Sequence, residues 1–385
     1  KPRGKAFMPY LLQSFNSFLT SYNAAPADKR DWTVKDAVLA ALGSMSGKLM
    51  GNKSYRGSVP EMLAAHVIPE LQSPLGPMRA RAVSVVGEYV NAAFDAGSWR
   101  VIELMQDSEA VVQYVASATF SKLLRNVTTR DVIEPLVDRV LETLLQLVAR
   151  FKTDDVVSSL AAESTSAPSK CADKAPALCG QLSNFFQEFS VAAANSEEGE
   201  GDHLEFAAIN CLQALVAVID KTPYTPARWE GLIASAGQLA AKLLDPDSDF
   251  VHWDFMQTAF DIVYNLAYGV PVGTPLPPAL WQLFERVVRI VLTVGCDFSD
   301  VFATTVDPFL CKDVDTMLNG TASTGEKYVQ LMWSVHLHMV EKMAEDDQVY
   351  TSRTIVSLAV RATNGRLDAL LPQLLEHFVS LGIGA

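Results

Sequence analysis

The residues in this sequence with the greatest capacity for chemistry are carboxylates. Glu197, Glu198, Glu200, Asp202 and Glu205 form one cluster, and Asp245, Asp247, Asp249 and Asp254 form another. Residues 196–254 hold 11 acidic and 3 basic side chains, whereas residues 1–100 hold 12 basic and 7 acidic ones. One reading is an electronegative patch that attracts a basic partner, where charge mainly raises the association rate and suppresses wrong partners. The other is a solvated loop plus carboxylates that cap helix starts. Asp245, Asp247 and Asp249 also match the opening of an EF-hand loop. The sixth position of that loop is Phe250 where the turn needs Gly, and the twelfth is Met256 where the ion needs Glu, so calcium is not expected.

No other constellation supports catalysis, and no cofactor is expected. The six histidines are His66, His203, His252, His336, His338 and His377. His336 and His338 stand two apart on an expected helix and point to different faces. The six tryptophans, Trp32, Trp99, Trp229, Trp253, Trp281 and Trp333, suit packing between helices better than a binding cage. No Walker lysine motif, G-x-G-x-x-G or G-x-S-x-G is present. The five cysteines, Cys171, Cys179, Cys211, Cys296 and Cys311, form no C-x-x-C pair, and their odd, scattered set suits a reducing compartment.

The 385 residues are 49% hydrophobic and 19% charged, enough apolar material for a large core. The net charge of −13 argues against direct nucleic-acid binding, which needs surplus Lys and Arg. No membrane insertion is expected: the best apolar stretch, from Phe206 to Ile219, is interrupted by Asn210 and Gln213. The chain begins at Lys1, so a piece of something longer is expected.

Positioning elements are written in the periodicity. Val132, Ile133, Leu136, Val137, Val140, Leu141, Leu144 and Val148 recur at helical steps, as do Leu280, Leu283, Phe284, Val287, Val288 and Val291, and Val112, Val115, Ala116, Phe120 and Leu123. Asp31, Ser73, Asp107, Asp154, Asp202, Asp247, Asp297 and Asp346 each precede such a pattern and are expected to be N-caps. Their intervals average about 45 residues, the period of HEAT or armadillo helix pairs. Small residues follow three of the caps at Ala40, Ala82 and Ala116 and would let helices approach closely. The expectation is an all-α protein: one α-α superhelix of roughly eight helix pairs over residues 1–385, with loops near 195–203 and 269–278. Such an array exposes a long surface suited to wrapping a partner. Ordinary helical bundles are the alternative.

Specific strings then resemble a known family. His66-Val67-Ile68-Pro69-Glu70-Leu71-Gln72-Ser73-Pro74-Leu75-Gly76, followed by Arg79-Ala80-Arg81-Ala82, is similar to the middle of the importin-beta-like nuclear transport receptors, nearest to the importin seven and eight group. Leu104-Met105-Gln106-Asp107, Ile133-Glu134-Pro135 with Thr153-Asp154-Asp155, Pro278-Ala279-Leu280-Trp281-Gln282-Leu283-Phe284, and Asp297 through Pro308-Phe309-Leu310 to Asp315-Thr316-Met317-Leu318 follow in order. The resemblance implies HEAT repeats from the central and later part of a longer receptor. It implies protein cargo, basic in this case, and phenylalanine–glycine nucleoporins. It also implies the Ran GTPase, whose main site lies in N-terminal repeats without a counterpart here. A monomer that shuttles between cytoplasm and nucleus is the corresponding expectation. An export receptor and a HEAT scaffold for an enzyme complex are the alternatives. A scaffold of that kind has more regular repeats of about 39 residues, near the lower end of the helical-repeat periods.

Overall fold

In the computed structural model, the described residues are 3–92, 95–124, 134–166, 168–197, 201–248, 253–294 and 298–342, together with isolated positions between 355 and 379. Among them the regular elements are helices, and the extended pairing is one isolated bridge, Thr321 with Lys327. The chain groups into two compact units, residues 1–170 with 189–210, and residues 171–188 with 211–385.

The first unit contains α1 (Arg3–Ala24), α2 (Trp32–Ser44), α3 (Val59–His66), α4 (Gly76–Glu88), α5 (Asp95–Leu104), α6 (Ala110–Leu123), α7 (Val137–Phe151) and α8 (Asp154–Ser166). Helices α2, α4, α6 and α8 pack side by side in one row. The turn Ile68–Gln72 and helices α5 and α7 pair with α4, α6 and α8 respectively. These are stacked helix pairs of the HEAT type. Of the helical stripes read from sequence, Val112, Ala116, Phe120 and Leu123 on α6 and Val137, Val140, Leu141, Leu144 and Val148 on α7 are buried, Val115 and Leu136 are half-buried, and Val132 and Ile133 lie outside the described residues. Ala82 and Ala116 are fully buried, and Ala40 is half-buried.

Two long helices follow, α9 (Ala175–Ala194) and α10 (Asp202–Lys221). Helix α10 corrects the reading of the Phe206–Ile219 stretch. With 20 residues and mean hydropathy 1.3, it is long and apolar enough by length and composition to cross a membrane. Its Ala207, Ala208, Cys211, Leu212, Leu215, Val218 and Ile219 are nevertheless buried in the protein, as in a core helix.

The second unit continues with α11 (Pro226–Leu232), a π-helical turn (Ile233–Gly237) and α12 (Gln238–Leu243). Then come α13 (Trp253–Tyr268), α14 (Pro278–Val294), α15 (Ser299–Lys312), α16 (Val314–Asn319) and α17 (Tyr328–Lys342). Helices α13 and α15 pack together in one row, and the 233–243 segment, α14 and α17 in the other. On α14, Leu280, Leu283, Phe284, Val287, Val288 and Val291 are all buried. Residues 195–197 and 201 lie between α9 and α10, and residues 269–277 between α13 and α14; Asp202 and His203 belong to α10.

The caps differ from expectation. Asp31 does cap α2, its carboxylate accepting from the Thr33 N–H at 3.0 Å. At α4 and α6, however, the N-cap positions are Leu75 and Glu109. Ser73 and Asp107 lie two residues earlier and serve Arg79 instead. Asp154 and Asp202 sit inside the first helical turn, and Asp247 precedes α13 by six residues. Asp297 and Asp346 lie outside the described residues. Asp31, Asp154 and Asp202 still mark a helix start, because an acidic residue favours the whole positive end of a helix rather than one position.

Candidate interaction surfaces

The Arg79-Ala80-Arg81-Ala82 string acquires a physical meaning in α4. Arg79 donates twice to Asp107, at 2.8 Å from Nε and from Nη2, and donates to the Ser73 carbonyl at 2.8 Å. Arg81 donates to Asp36 on α2 at 2.7 Å. One arginine thus ties α4 forward to the next helix pair and the other ties it back, while Ala80 and Ala82 are buried between them. Burial works against the Asp107 charge, but the Arg79 guanidinium and the Glu109 N–H outweigh it and hold the carboxyl below its ordinary value. The most family-like string is therefore structural joinery.

The structure treats the two carboxylate clusters differently. In the first unit, Glu197 is exposed three residues after the end of α9, and Asp202 and Glu205 occupy the first turn of α10, where negative charge meets the positive helix end. Glu198 and Glu200 lie outside the described residues. In the second unit, Asp245 accepts from Arg286 at 3.3 Å and Asp247 accepts from Arg289 at 3.0 Å. The Asp247 N–H also donates to Asp245, and with Arg286 it holds that carboxyl below its ordinary value. Two of the four acidic side chains in this cluster are thus occupied by arginines of α14. Asp249 lies outside the described residues. Asp254 lies in the first turn of α13, and its side chain is not among those described. Sequence alone did not reveal the arginine pairing because Arg286 and Arg289 are 41 and 42 residues away from their partners.

Clefts open between adjacent helices. In the second unit, a cavity of about 600 Å³ separates the 226–241 segment from α14, lined by Tyr224, Trp229, Ile233, Ala234, Pro277 and Leu283 among others. The π-helical turn forms part of its wall. Trp229 is anchored beneath it, its indole N–H donating to the Leu266 carbonyl at 2.7 Å. In the first unit, a smaller apolar cleft of about 390 Å³ opens between α1 and α3, lined by Leu12, Phe15, Leu19, Leu49, Tyr55 and Met62. Among the described residues no group of three His, Cys, Asp or Glu could hold a metal ion.

Paired helices with clefts between neighbours define an all-α helical-repeat protein. Comparison with known proteins is more specific. The chain is 24% identical to a probable importin-7 homolog of Dictyostelium discoideum over 97% of its length, and 22% identical to an importin beta-like SAD2 homolog of Arabidopsis thaliana over 96%. It is 18% identical to human importin-8 over 96% of its length. It covers 34%, 35% and 34% of these relatives, so it spans about a third of their length. A crystal structure of Kap121p matches 95% of this chain and 43% of that one at 13% identity, with a TM-score of 0.33. No family model matches. Along nearly its whole length the chain is similar to importin-beta-like proteins of the importin-7 and importin-8 group.

Proposed function

We propose that this chain is the cargo- and nucleoporin-binding stretch of a nuclear import receptor, without catalytic activity of its own. The observation that carries this reading is the similarity to importin-7 and importin-8 relatives over 96–97% of the chain, on a framework of stacked helix pairs. Basic protein cargo meets the acidic side chains, with Glu197, Glu198, Glu200, Asp202 and Glu205 as contacts in the first unit. Asp245, Asp247, Asp249 and Asp254 are the corresponding candidates in the second, where a cargo cation would first have to displace Arg286 and Arg289. Nucleoporin phenylalanines enter the cleft between the 226–241 segment and α14, whose aromatic, proline and aliphatic walls suit an apolar ring. The receptor shuttles between cytoplasm and nucleus as a monomer, and Ran acts mainly through repeats outside this stretch.

The test of direction uses the full-length receptor. Cargo bound in its absence and displaced by Ran-GTP is the import behaviour expected here. Cargo retained only together with Ran-GTP would make the protein an exporter. The nucleoporin cleft is tested with Ala234→Trp, which places an indole on an exposed wall position. A phenylalanine–glycine peptide is expected to lose most of its affinity for this variant in a fluorescence-anisotropy titration. Unchanged binding excludes the cleft.

A further inference from the structure

The first unit holds a surface opposite in charge to the two carboxylate clusters. Helix α1 and residues 37–60 contain no Asp or Glu. Between α2 and α3 the chain forms two short helical turns, Ser46–Met50 and Lys53–Arg56. Asn52 orders the second, its side chain accepting from the Ser54 N–H at 2.9 Å. Lys48, Lys53 and Arg56 are exposed on these turns, and none of the three side chains has a hydrogen bond or ion pair among the described residues. Other cations of this unit are held by carboxylates: Lys35 by Glu70, Arg79 by Asp107, Arg81 by Asp36 and Lys122 by Glu88. Two openings meet at Tyr55. One is the apolar cleft between α1 and α3, whose lining carries a single carboxylate, Glu61, and no Lys or Arg. The other is an open groove of about 820 Å³, lined by Met8, Gly47, Lys48, Gly51, Lys53 and Tyr55 among others, with no carboxylate. Gly47 and Gly51 leave backbone bare in that groove, so another chain can approach it closely.

We propose that this surface recognises an acidic amphipathic segment of a partner protein. A bulky aliphatic side chain seats in the cleft beside Phe15, Leu19 and Met62, and the carboxylates that follow it lie along the groove on Lys48 and Lys53. The linings of the two openings argue for this occupant. Seating the aliphatic group removes apolar surface from water and supplies most of the affinity. Exposed charge pairs add little affinity, but they speed association and turn away basic segments. Glu61 fixes the direction, because it repels a carboxylate placed in the cleft. A nucleic acid would also meet the lysines, but it has no aliphatic side chain for the cleft. The surface takes the opposite charge to the cargo contacts proposed above, and it does not rest on them.

The experiment titrates the full chain with a fluorescein-labelled peptide of two leucines followed by four aspartates, read by anisotropy at low and at physiological salt. The parent chain is expected to bind, more weakly as salt rises. Lys48→Gln with Lys53→Gln should weaken binding about tenfold and flatten its salt dependence. Ala65 is an exposed position of the cleft wall. Ala65→Trp fills the cleft and should weaken binding about tenfold while leaving the salt dependence in place. A peptide with serines for its leucines should show the same loss on the parent chain, without any change to the protein. Equal helicity by circular dichroism controls for folding. If the serine peptide binds as the leucine peptide does, the contact is unspecific charge attraction and the proposal is overturned. A thymidine oligonucleotide that displaces the labelled peptide at lower concentration than the unlabelled peptide does would make the groove a nucleic-acid contact and overturn it too. So would a parent chain that does not bind the peptide at low salt.

Discussion

Glu163 carries a carboxyl into the interior of the first unit, fully buried on α8. Its Oε2 accepts from Ser166 at 3.5 Å, and its Oε1 has no hydrogen-bond partner among the described residues. Burial pushes its pKa up to about 7 from an ordinary 4.5. The folded state therefore holds a proton that the unfolded chain has released. Stability is full below the unfolded value, declines between pH 4.5 and 7, and is level above, a loss on the order of 3 kcal/mol. Glu163→Gln should remove this slope: thermal melts are expected to show a higher Tm than the parent at pH 8 and little difference at pH 4.5. Lys35 poses the opposite case. It is 3% exposed and bonded to Glu70 at 2.6 Å, with Tyr22 4.9 Å away. Glu70→Ala should cost about 3–5 kcal/mol in urea unfolding, because it strands a buried ammonium. Lys35→Met combined with Glu70→Leu should recover most of that loss. Neither side chain was recognisable in sequence as buried, since a lone Glu or Lys on a helix is ordinarily solvated.

Among the elements, close approach decides how pairs lock. Gly269 follows α13, and a β-carbon there would lie 2.2 Å from the Trp229 ring. The same ring is 1% exposed and holds the Leu266 carbonyl. Gly269→Ala must therefore displace the indole. Its expected signature is a loss of about 1–3 kcal/mol by the usual cost of overpacking, with a red-shifted tryptophan emission as the ring meets water. Unchanged stability and emission would show that the cleft floor can yield. The apolar stripes of α6, α7 and α14 were readable because a period of 3.6 forces one face inward wherever the helix lies. The hairpin order followed from the spacing of acidic residues near helix starts. Which helices form a row did not, because that depends on contacts 30 or more residues apart, such as Arg79 with Glu109 and Lys122 with Glu88.

At the scale of the molecule, the surplus negative charge is distributed over two units and only part of it is available. Neutralising Glu197, Asp202 and Glu205 should weaken low-salt binding of a basic peptide. Neutralising Asp245 and Asp247 should have a smaller effect, because the arginines of α14 already offset those charges. Titrations at two salt concentrations check both, and equal losses from the two sets would contradict the assignment of the arginine pairs. The same comparison separates charge that steers association from charge that only holds helices together.

The order of residues by itself determined the all-helical class, the helix-pair period and the kinship with importin-7 and importin-8 relatives, since periodicity and motif strings are local properties of a chain. The tertiary structure decided which charges are available. It paired Asp245 and Asp247 with arginines one helix pair away and turned the Arg79 and Arg81 string into ties between repeats. Those outcomes depend on which distant helices share a face, and Coulombic and aromatic contacts act only over a few ångströms of space, whatever the distance along the sequence.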